Sequence, residues 1–191
     1  MASMKICVIG APSTGKSVFA KNLAAHMSKE GLSCELVQEY ASEYIQAVGA
    51  PNDAWEQLVI SIGQYLAEQE AKRDHMVTDA AMFVTYLYAQ RLLPDQVDEK
   101  QWPKYRNLID MLRVLARNSV SSYDIIFVMG HVFPPKDDGV RLSYHLTLEQ
   151  CEAVQRDIQD YLRSERAKFH EVDGRDASAV KSAFAVIQKH L

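Results

Sequence analysis

Hydrophobic residues follow two patterns along the chain: short apolar runs, and longer stretches in which apolar residues recur every three to four positions. Runs of the first kind predict buried strands, and stretches of the second kind predict amphipathic helices. The predicted strands are residues 5–9, 33–37, 76–78, 124–129 and 169–172. The predicted helices are residues 17–29, 54–75, 80–92, 103–118, 147–167 and 177–190. Strands that alternate with helices predict an α/β fold, a five-stranded parallel sheet with helices on both faces.

Length and composition narrow this expectation to one globular domain. A chain of 191 residues is long enough to bury a sizeable core, and 48% hydrophobic with 24% charged residues is typical of a soluble protein. No internal repeat, low-complexity tract or linker divides the sequence, so we expect a single domain over residues 1–191. The net charge of −4 gives no overall attraction to nucleic acid or to an anionic membrane.

The cysteines and the apolar runs indicate where the protein works. Cys7, Cys34 and Cys151 are far apart and have no metal-ligand spacing, which is typical of buried thiols in a reducing compartment. The only early apolar run is five residues long, so no secretion signal is predicted. No stretch approaches the roughly 20 apolar residues that cross a bilayer. We therefore expect a cytoplasmic protein without membrane contact.

The sequence GAPSTGKS, residues 10–17, lies between the first predicted strand and the first predicted helix. It matches G-x-x-x-x-G-K-[ST], the P-loop or Walker A motif, whose backbone N–H groups and helix N-terminus bind a polyphosphate. It predicts a P-loop NTPase fold that binds ATP and Mg²⁺. Lys16 would neutralise the outer phosphates, and we expect it to face solvent when no nucleotide is bound. The candidate nucleotide-binding residues are Gly10, Ser13, Thr14, Gly15, Lys16 and Ser17.

Other residues limit the classes of protein to which this nucleotide site can belong. A guanine-reading N-K-x-D is absent, which disfavours a GTPase. Motors and AAA-type ATPases normally have a larger module and a strand that ends in Asp-Glu, whereas Asp79 ends the third predicted strand and is followed by Ala80 and Ala81. With no glutamate there to polarise a water, phosphoryl transfer is favoured over hydrolysis. Asp79 and Ser17 are the candidate Mg²⁺ ligands.

Two further clusters fit a kinase. Glu39, in LVQEYASEY, follows the second predicted strand, where its carboxylate would accept the proton of an attacking hydroxyl. Glu43 is one helical turn further on and is a weaker candidate. Arg141 lies in PPKDDGVRLSYH, within a predicted lid of about residues 131–146, and would stabilise charge on the transferred phosphate, with Asp137 and Asp138 placing it. The candidate catalytic residues are Lys16, Glu39, Asp79 and Arg141; whether Glu39 or Asp79 is the base stays open.

GAPSTGKS, EYASEY, VTDAAMFVTYLY and DDGVRL stand in an order and spacing that resemble the nicotinamide riboside kinase domain of NadR-type proteins, over roughly residues 4–172. The resemblance implies a nucleoside-kinase-like fold with Mg-ATP as donor and a nucleoside-type hydroxyl as acceptor. It implies that Lys16 and Ser17 bind phosphate and metal, and that Asp79 lies on the metal or acceptor side. It also implies that Glu39 faces the acceptor hydroxyl and that Arg141 belongs to the lid.

The sequence is also similar to compact phage P-loop kinases, related to thymidylate kinases, that phosphorylate 5-hydroxymethyluracil within DNA. Such an enzyme needs aromatic and basic residues around a flipped base. Tyrosines on a helix are more typical of a core, and the arginines are more typical of a solvated face. Residues that would serve DNA are Tyr86, Tyr88, Arg91, Trp102, Lys104, Tyr105, Arg106, Arg113 and Arg117.

These observations together predict a kinase for a nucleoside-type acceptor, either free or in DNA, in a bacterial or phage-infected cell. Two other classes stay open. One is a P-loop ATPase that acts as a regulatory or DNA-transaction switch, and the other is a nucleotide-binding module without chemistry.

Overall fold

The computed structural model describes residues 3–93, 100–135 and 146–191. Within these ranges the elements in chain order are β1 (Met4–Ile9), α1 (Lys16–Lys29), β2 (Cys34–Val37), α2 (Tyr40–Val48), α3 (Ala54–Gln69), β3 (His75–Thr78), α4 (Met82–Arg91), α5 (Trp102–Ser122), β4 (Ile125–Met129), α6 (Leu148–Ser164), β5 (His170–Val172) and α7 (Ala179–Ile187).

The strands form one parallel sheet in the order β2-β3-β1-β4-β5. In β1, Ile6 and Val8 pack with α1 and α7 on one face, whereas Cys7 and Ile9 pack with α4, α5 and α6 on the other. Both faces are therefore covered, which is why the strands are continuous apolar runs. The predicted five-stranded α/β fold is confirmed.

The sheet order places a ligand-binding crevice at the carboxyl ends of β1 and β3. These strands are neighbours, yet β1 leads into α1 on one face and β3 leads into α4 on the opposite face. Chains that leave adjacent parallel strands in opposite directions open a crevice between them. The P-loop follows β1 and Asp79 follows β3, so the order of the strands brings them together.

Two elements differ from the prediction. The helix predicted over residues 54–75 ends at Gln69, because the chain must turn at residues 70–74 before His75 enters the sheet, where its N–H donates to the Ser33 carbonyl at 2.9 Å. The helix α2 was not among the predicted elements. Its apolar residues do recur at helical spacing, at Tyr40, Tyr44 and Val48, but the helix has only nine residues, too few for a periodic pattern to be distinctive.

Helix α3 has its polar side inward and an apolar side outward, the reverse of a typical amphipathic helix. Polar residues one or two turns apart are buried at Gln57, Ser61, Gln64 and Glu68. The residues on the outward side are each about half exposed, and they are Val59, Ile62, Tyr65 and Leu66. The buried polar side of α3 faces the crevice and contributes to the site described below. Among the described residues, no helix is both long and apolar enough to span a bilayer.

Candidate active site

The P-loop between β1 and α1 is tightly curled. Gly15 has φ 78°, which glycine adopts readily, and Ser13 has φ 64°, a left-handed conformation that costs energy for a residue with a side chain. Alternation of right- and left-handed residues turns successive N–H groups toward one anion-sized centre. At Gly10 a Cβ atom would lie 2.7 Å from Thr14 Oγ1, so only glycine fits. The loop thus has the backbone geometry that a phosphate requires.

Three hydrogen bonds hold the P-loop in this shape. The buried Thr14 hydroxyl donates to the Ala11 carbonyl at 2.8 Å, so the side chain of Thr14 supports the loop and leaves only its backbone for a nucleotide. The Ala11 N–H donates to Gln155 Oε1 at 2.8 Å, and Gln155 Nε2 donates to the Met129 carbonyl at 2.6 Å. Gln155 therefore ties the loop after β1 to the end of β4. Sequence analysis missed it; a glutamine on the apolar side of α6 was the available signal.

Lys16, Glu39 and Asp79 come together at the carboxyl end of the sheet. Lys16 Nζ lies 3.6 Å from Glu39 Oε2, an ion pair longer than a hydrogen bond. Lys16 is only 6% exposed, so the expectation that it faces solvent without nucleotide is wrong. Glu39, at the start of α2, is one of the groups close to it. The Ser42 hydroxyl donates to Glu39 Oε2 at 3.0 Å and restricts this carboxylate, a contact that sequence analysis did not identify.

Asp79 is buried beside the first residues of α1. Burial raises the pKa of this carboxyl, and the nearby Glu39 charge raises it further, while the Ser17 hydroxyl and the Lys16 charge lower it. Asp79 Oδ1 is buried with no hydrogen-bond partner in the described part of the chain. A buried carboxylate oxygen without a partner, next to a hydroxyl, suits a divalent cation that prefers oxygen ligands. Asp79 and Ser17 therefore fit a Mg²⁺ ion.

Asp79→Asn is expected to raise the Mg²⁺ concentration needed for ATP binding by more than about 10-fold. Loss of a residue that only supports a metal ligand lowers metal affinity by roughly 10-fold or more, and loss of a ligand itself should cost more. Because the pKa of Asp79 is raised, Mg²⁺ binding by the native protein should weaken as the pH falls, beginning at a higher pH than for an ordinary aspartate. A Mg²⁺ titration of ATP binding at several pH values tests both points. Asp74→Asn, at an exposed aspartate before β3, is the matched control; equal Mg²⁺ requirements in both variants would exclude Asp79 as a ligand.

A cavity of about 820 Å³ extends from the P-loop to helices α2, α3 and α4. The part walled by these three helices, here called the helical half, is lined by Ala41, Ile45, Gln57, Ile60, Gln64, Val84, Thr85, Tyr88 and Leu92. Glu39 lies between the P-loop and this half. Gln57 is only 5% exposed, and its side-chain amide makes no hydrogen bond within the described ranges. An amide that lines a cavity without a protein partner is an available donor and acceptor for a ligand.

The helical half of the cavity has no positive charge within the described ranges. The sequences of α2 and α3 contain no lysine or arginine. The single one in α4, Arg91, is bound to Asp157 through its Nε at 3.0 Å and does not line the cavity. Lys16 and Glu39 are the charged side chains among the described lining residues. The helical half therefore suits a ligand part without negative charge.

Several other predicted residues lie elsewhere. Arg113 pairs with Asp110 and Arg117 pairs with Glu165, each at 3.0 Å on the exposed side of α5, away from the cavity. Glu43 does not line the cavity either. Arg141, Asp137 and Asp138, with most of the predicted lid, lie outside the described residues.

The aromatic residues proposed for DNA divide between the cavity and the packing of the helices. Tyr88 lines the cavity. Tyr86 packs against Tyr161, with ring centroids 5.7 Å apart. Lys104 lies 5.4 Å above the ring of Trp55. The structure therefore brings only one of these residues to the crevice.

Comparison with known proteins agrees with this fold. One solved structure, a NadR protein in complex with NAD and AMP-PNP, has a TM-score of 0.68 and 18% identity, covering 98% of this chain and 49% of that one. A second, a NadR protein in complex with NR, has a TM-score of 0.68 and 22% identity, covering 97% and 51%. The chain thus spans about half the length of these structures. At such identities the likeness shows the fold, and it confirms the predicted resemblance at that level.

No curated protein sequence matches this chain. The AAA domain family matches residues 5–178, most of its length. The alanines after Asp79 disfavour an AAA-type ATPase activity, and the match concerns the family and not that activity. The chain belongs to the AAA domain family and has a P-loop NTPase fold.

Proposed function

We propose that the protein is an ATP-dependent phosphotransferase that moves the γ-phosphate of Mg-ATP to a hydroxyl of a free nucleoside-type acceptor. The observation that carries this proposal is the cavity that continues from the P-loop into the helical half, with Glu39 between the two. A hydrolase needs room for only a water beyond the γ-phosphate, whereas this cavity has room for a second small molecule.

The residues at the junction divide the chemistry between them. The acceptor oxygen would attack the γ-phosphorus, the bond from that phosphorus to the bridging oxygen of ADP would break, and the acceptor proton would pass to Glu39. Lys16 would stabilise the charge on the transferred phosphoryl group. Asp79 suits the metal better than the proton, because it is buried against Ser17 while Glu39 lines the cavity. Bound Mg²⁺ would neutralise negative charge on the phosphate oxygens.

The walls of the helical half favour an acceptor without phosphate. A phosphate placed there would meet the Glu39 carboxylate and no lysine or arginine of α2, α3 or α4 apart from Arg91, which is already paired. Burying such an uncompensated charge costs several kcal/mol, roughly. Apolar side chains such as Ile45, Ile60 and Val84 suit a ring, and the free amide of Gln57 suits its polar edge. The solved NadR structures that hold AMP-PNP and NR support a donor and an acceptor of these kinds.

Transfer of labelled γ-phosphate from ATP tests the proposal. The acceptors offered in parallel are nicotinamide riboside, deoxynucleosides, their monophosphates, and DNA that contains 5-hydroxymethyluracil. We expect labelled product from at least one free nucleoside and none from the monophosphates or the DNA. Label that appears only as inorganic phosphate with every acceptor would instead identify an ATPase, and Glu39 would then activate water.

The arginines of α5 provide a separate test of the DNA alternative. We expect the Arg113→Glu, Arg117→Glu double variant to transfer phosphate as well as the wild type, because both side chains are exposed and paired away from the cavity. Raising the ionic strength should change the rate little. If DNA were the acceptor, its binding would fall steeply with salt, and the double variant would flatten that dependence. Rates at two ionic strengths for both proteins distinguish the two cases.

A further inference from the structure

Gln64 connects the two chain segments that carry the acidic residues of the site. It lies on the buried polar side of α3 and is 2% exposed. Its Oε1 accepts from the backbone N–H of Tyr40 at 2.9 Å, and its Nε2 donates to Thr78 Oγ1 at 3.1 Å. Tyr40 directly follows Glu39, and Thr78 directly precedes Asp79. One side chain thus holds the ends of β2 and β3 together just where the two carboxylates begin.

The orientation of the Gln64 amide is fixed by its partners. The Thr78 hydroxyl has one proton, which it donates to the Ala80 carbonyl at 3.0 Å, so it must accept from the amide NH₂ of Gln64. The Tyr40 N–H can only donate, so it requires the carbonyl oxygen of the same amide. On its other side, Glu68 Oε1 accepts from Tyr123 at 2.9 Å and lies 3.4 Å from Gln64 Nε2. These bonds allow one orientation of the amide.

A second buried glutamine forms the same kind of connection between another pair of strands. Gln155 accepts from the Ala11 N–H after β1 and donates to the Met129 carbonyl at the end of β4. Each glutamine therefore joins the carboxyl ends of two neighbouring strands, β2 with β3 and β1 with β4. Just after the paired residues of β2 and β3, one backbone hydrogen bond still joins the two segments: the Asp79 N–H donates to the Val37 carbonyl at 3.3 Å. Gln64 adds a second connection, between Tyr40 after β2 and Thr78 at the end of β3.

We propose that Gln64 is a positioning residue that sets the distance between Glu39 and Asp79, and so between the acceptor hydroxyl and the metal-bound phosphate. This inference rests on the proposed function. Phosphoryl transfer requires the two reacting groups to be in line, and a displacement of about 1 Å can cost about 10²-fold in rate. Loss of the Gln64 amide releases Tyr40 and Thr78 from each other while the P-loop keeps its own support from Gln155.

Variants of Gln64 and Thr78 separate positioning from simple stability. Gln64→Met removes both hydrogen bonds at similar volume, and Gln69→Met changes an exposed glutamine of the same helix as a control. Thr78→Val removes the hydroxyl that Gln64 binds, and Thr78→Ser keeps it. Hydrogen exchange at the Tyr40 amide and steady-state transfer kinetics, both well below the unfolding temperature, are measured for all variants.

Gln64→Met should speed exchange at the Tyr40 amide and lower kcat by about 10- to 100-fold without changing KM for ATP. Thr78→Val should lower kcat less and leave the Tyr40 amide protected, and Thr78→Ser should restore the rate. The Gln64→Met, Thr78→Val double variant should lose little more than Gln64→Met alone, because the two side chains act through one bond.

Three results would overturn the proposal. They are unchanged Tyr40 exchange in Gln64→Met, a lower unfolding temperature with unchanged kcat, and a higher acceptor KM as the sole kinetic effect. A wild-type protein that labels no acceptor would contradict the proposed function instead, and the exchange of the Tyr40 amide would still decide whether Gln64 holds this segment.

Discussion

Lys16→Met is expected to lower the rate of phosphate transfer by about 10²–10³-fold, the range for loss of one preorganised group that stabilises transition-state charge. Methionine keeps the apolar stem that Lys16 packs against the P-loop and removes the ammonium. Stability should fall only modestly, because Glu39 loses its cation but is partly exposed to water and keeps its hydrogen bond from Ser42. The effect should therefore appear in kcat and not in the fraction of folded protein.

Transfer kinetics and thermal unfolding of the same preparations check this result. Lys21→Met is the matched control, because Lys21 lies on the same helix and is exposed, so it should transfer phosphate at the wild-type rate. Near-normal turnover in Lys16→Met would mean that the P-loop does not bind the transferred phosphate.

Glu39→Gln is expected to lower kcat by about 10²–10⁴-fold, the usual contribution of a general base. The amide has the shape of the carboxylate and can still accept from Ser42, but it cannot take the proton of the acceptor hydroxyl. ATP affinity should stay close to that of the wild type, because Glu39 lies on the side of Lys16 that faces the helical half. Transfer kinetics and ATP binding measured together separate these two effects.

Glu43→Gln is the matched control for Glu39, since Glu43 is exposed one turn further along α2 and does not line the cavity. It should retain wild-type turnover. If Glu39→Gln and Asp79→Asn lost ATP binding to the same extent, the division into a base and a metal ligand would be wrong.

The sequence predicts those features of the protein that arise from residues close together along the chain. The strands are short apolar runs because both faces of the sheet are buried, and the P-loop is a contiguous motif between a strand and a helix. Glu39 and Asp79 could be placed near the site because the ends of parallel strands share one edge of the sheet.

Contacts between distant residues could not be predicted in this way. Gln64 and Tyr40 are 24 residues apart, and Gln155 and Ala11 are 144 apart, so no local pattern reports either bond. The orientation of α3 was equally hidden: its periodicity shows two sides but does not say which of them faces the interior. The ion pair of Lys16 is also non-local, because its partner Glu39 lies at the start of α2.

The charges around the helical half of the cavity would affect the binding of acceptor and product differently. In the proposed reaction, an uncharged acceptor would bring no ion into the helical half, whereas the product would carry a phosphate dianion beside Glu39. No unpaired lysine or arginine of α2, α3 or α4 would hold that dianion, and Lys16, 3.6 Å from Glu39, would be shared with ADP. In the proposed reaction, repulsion between Glu39 and the new phosphate would therefore make the helical half bind the product more weakly than the acceptor.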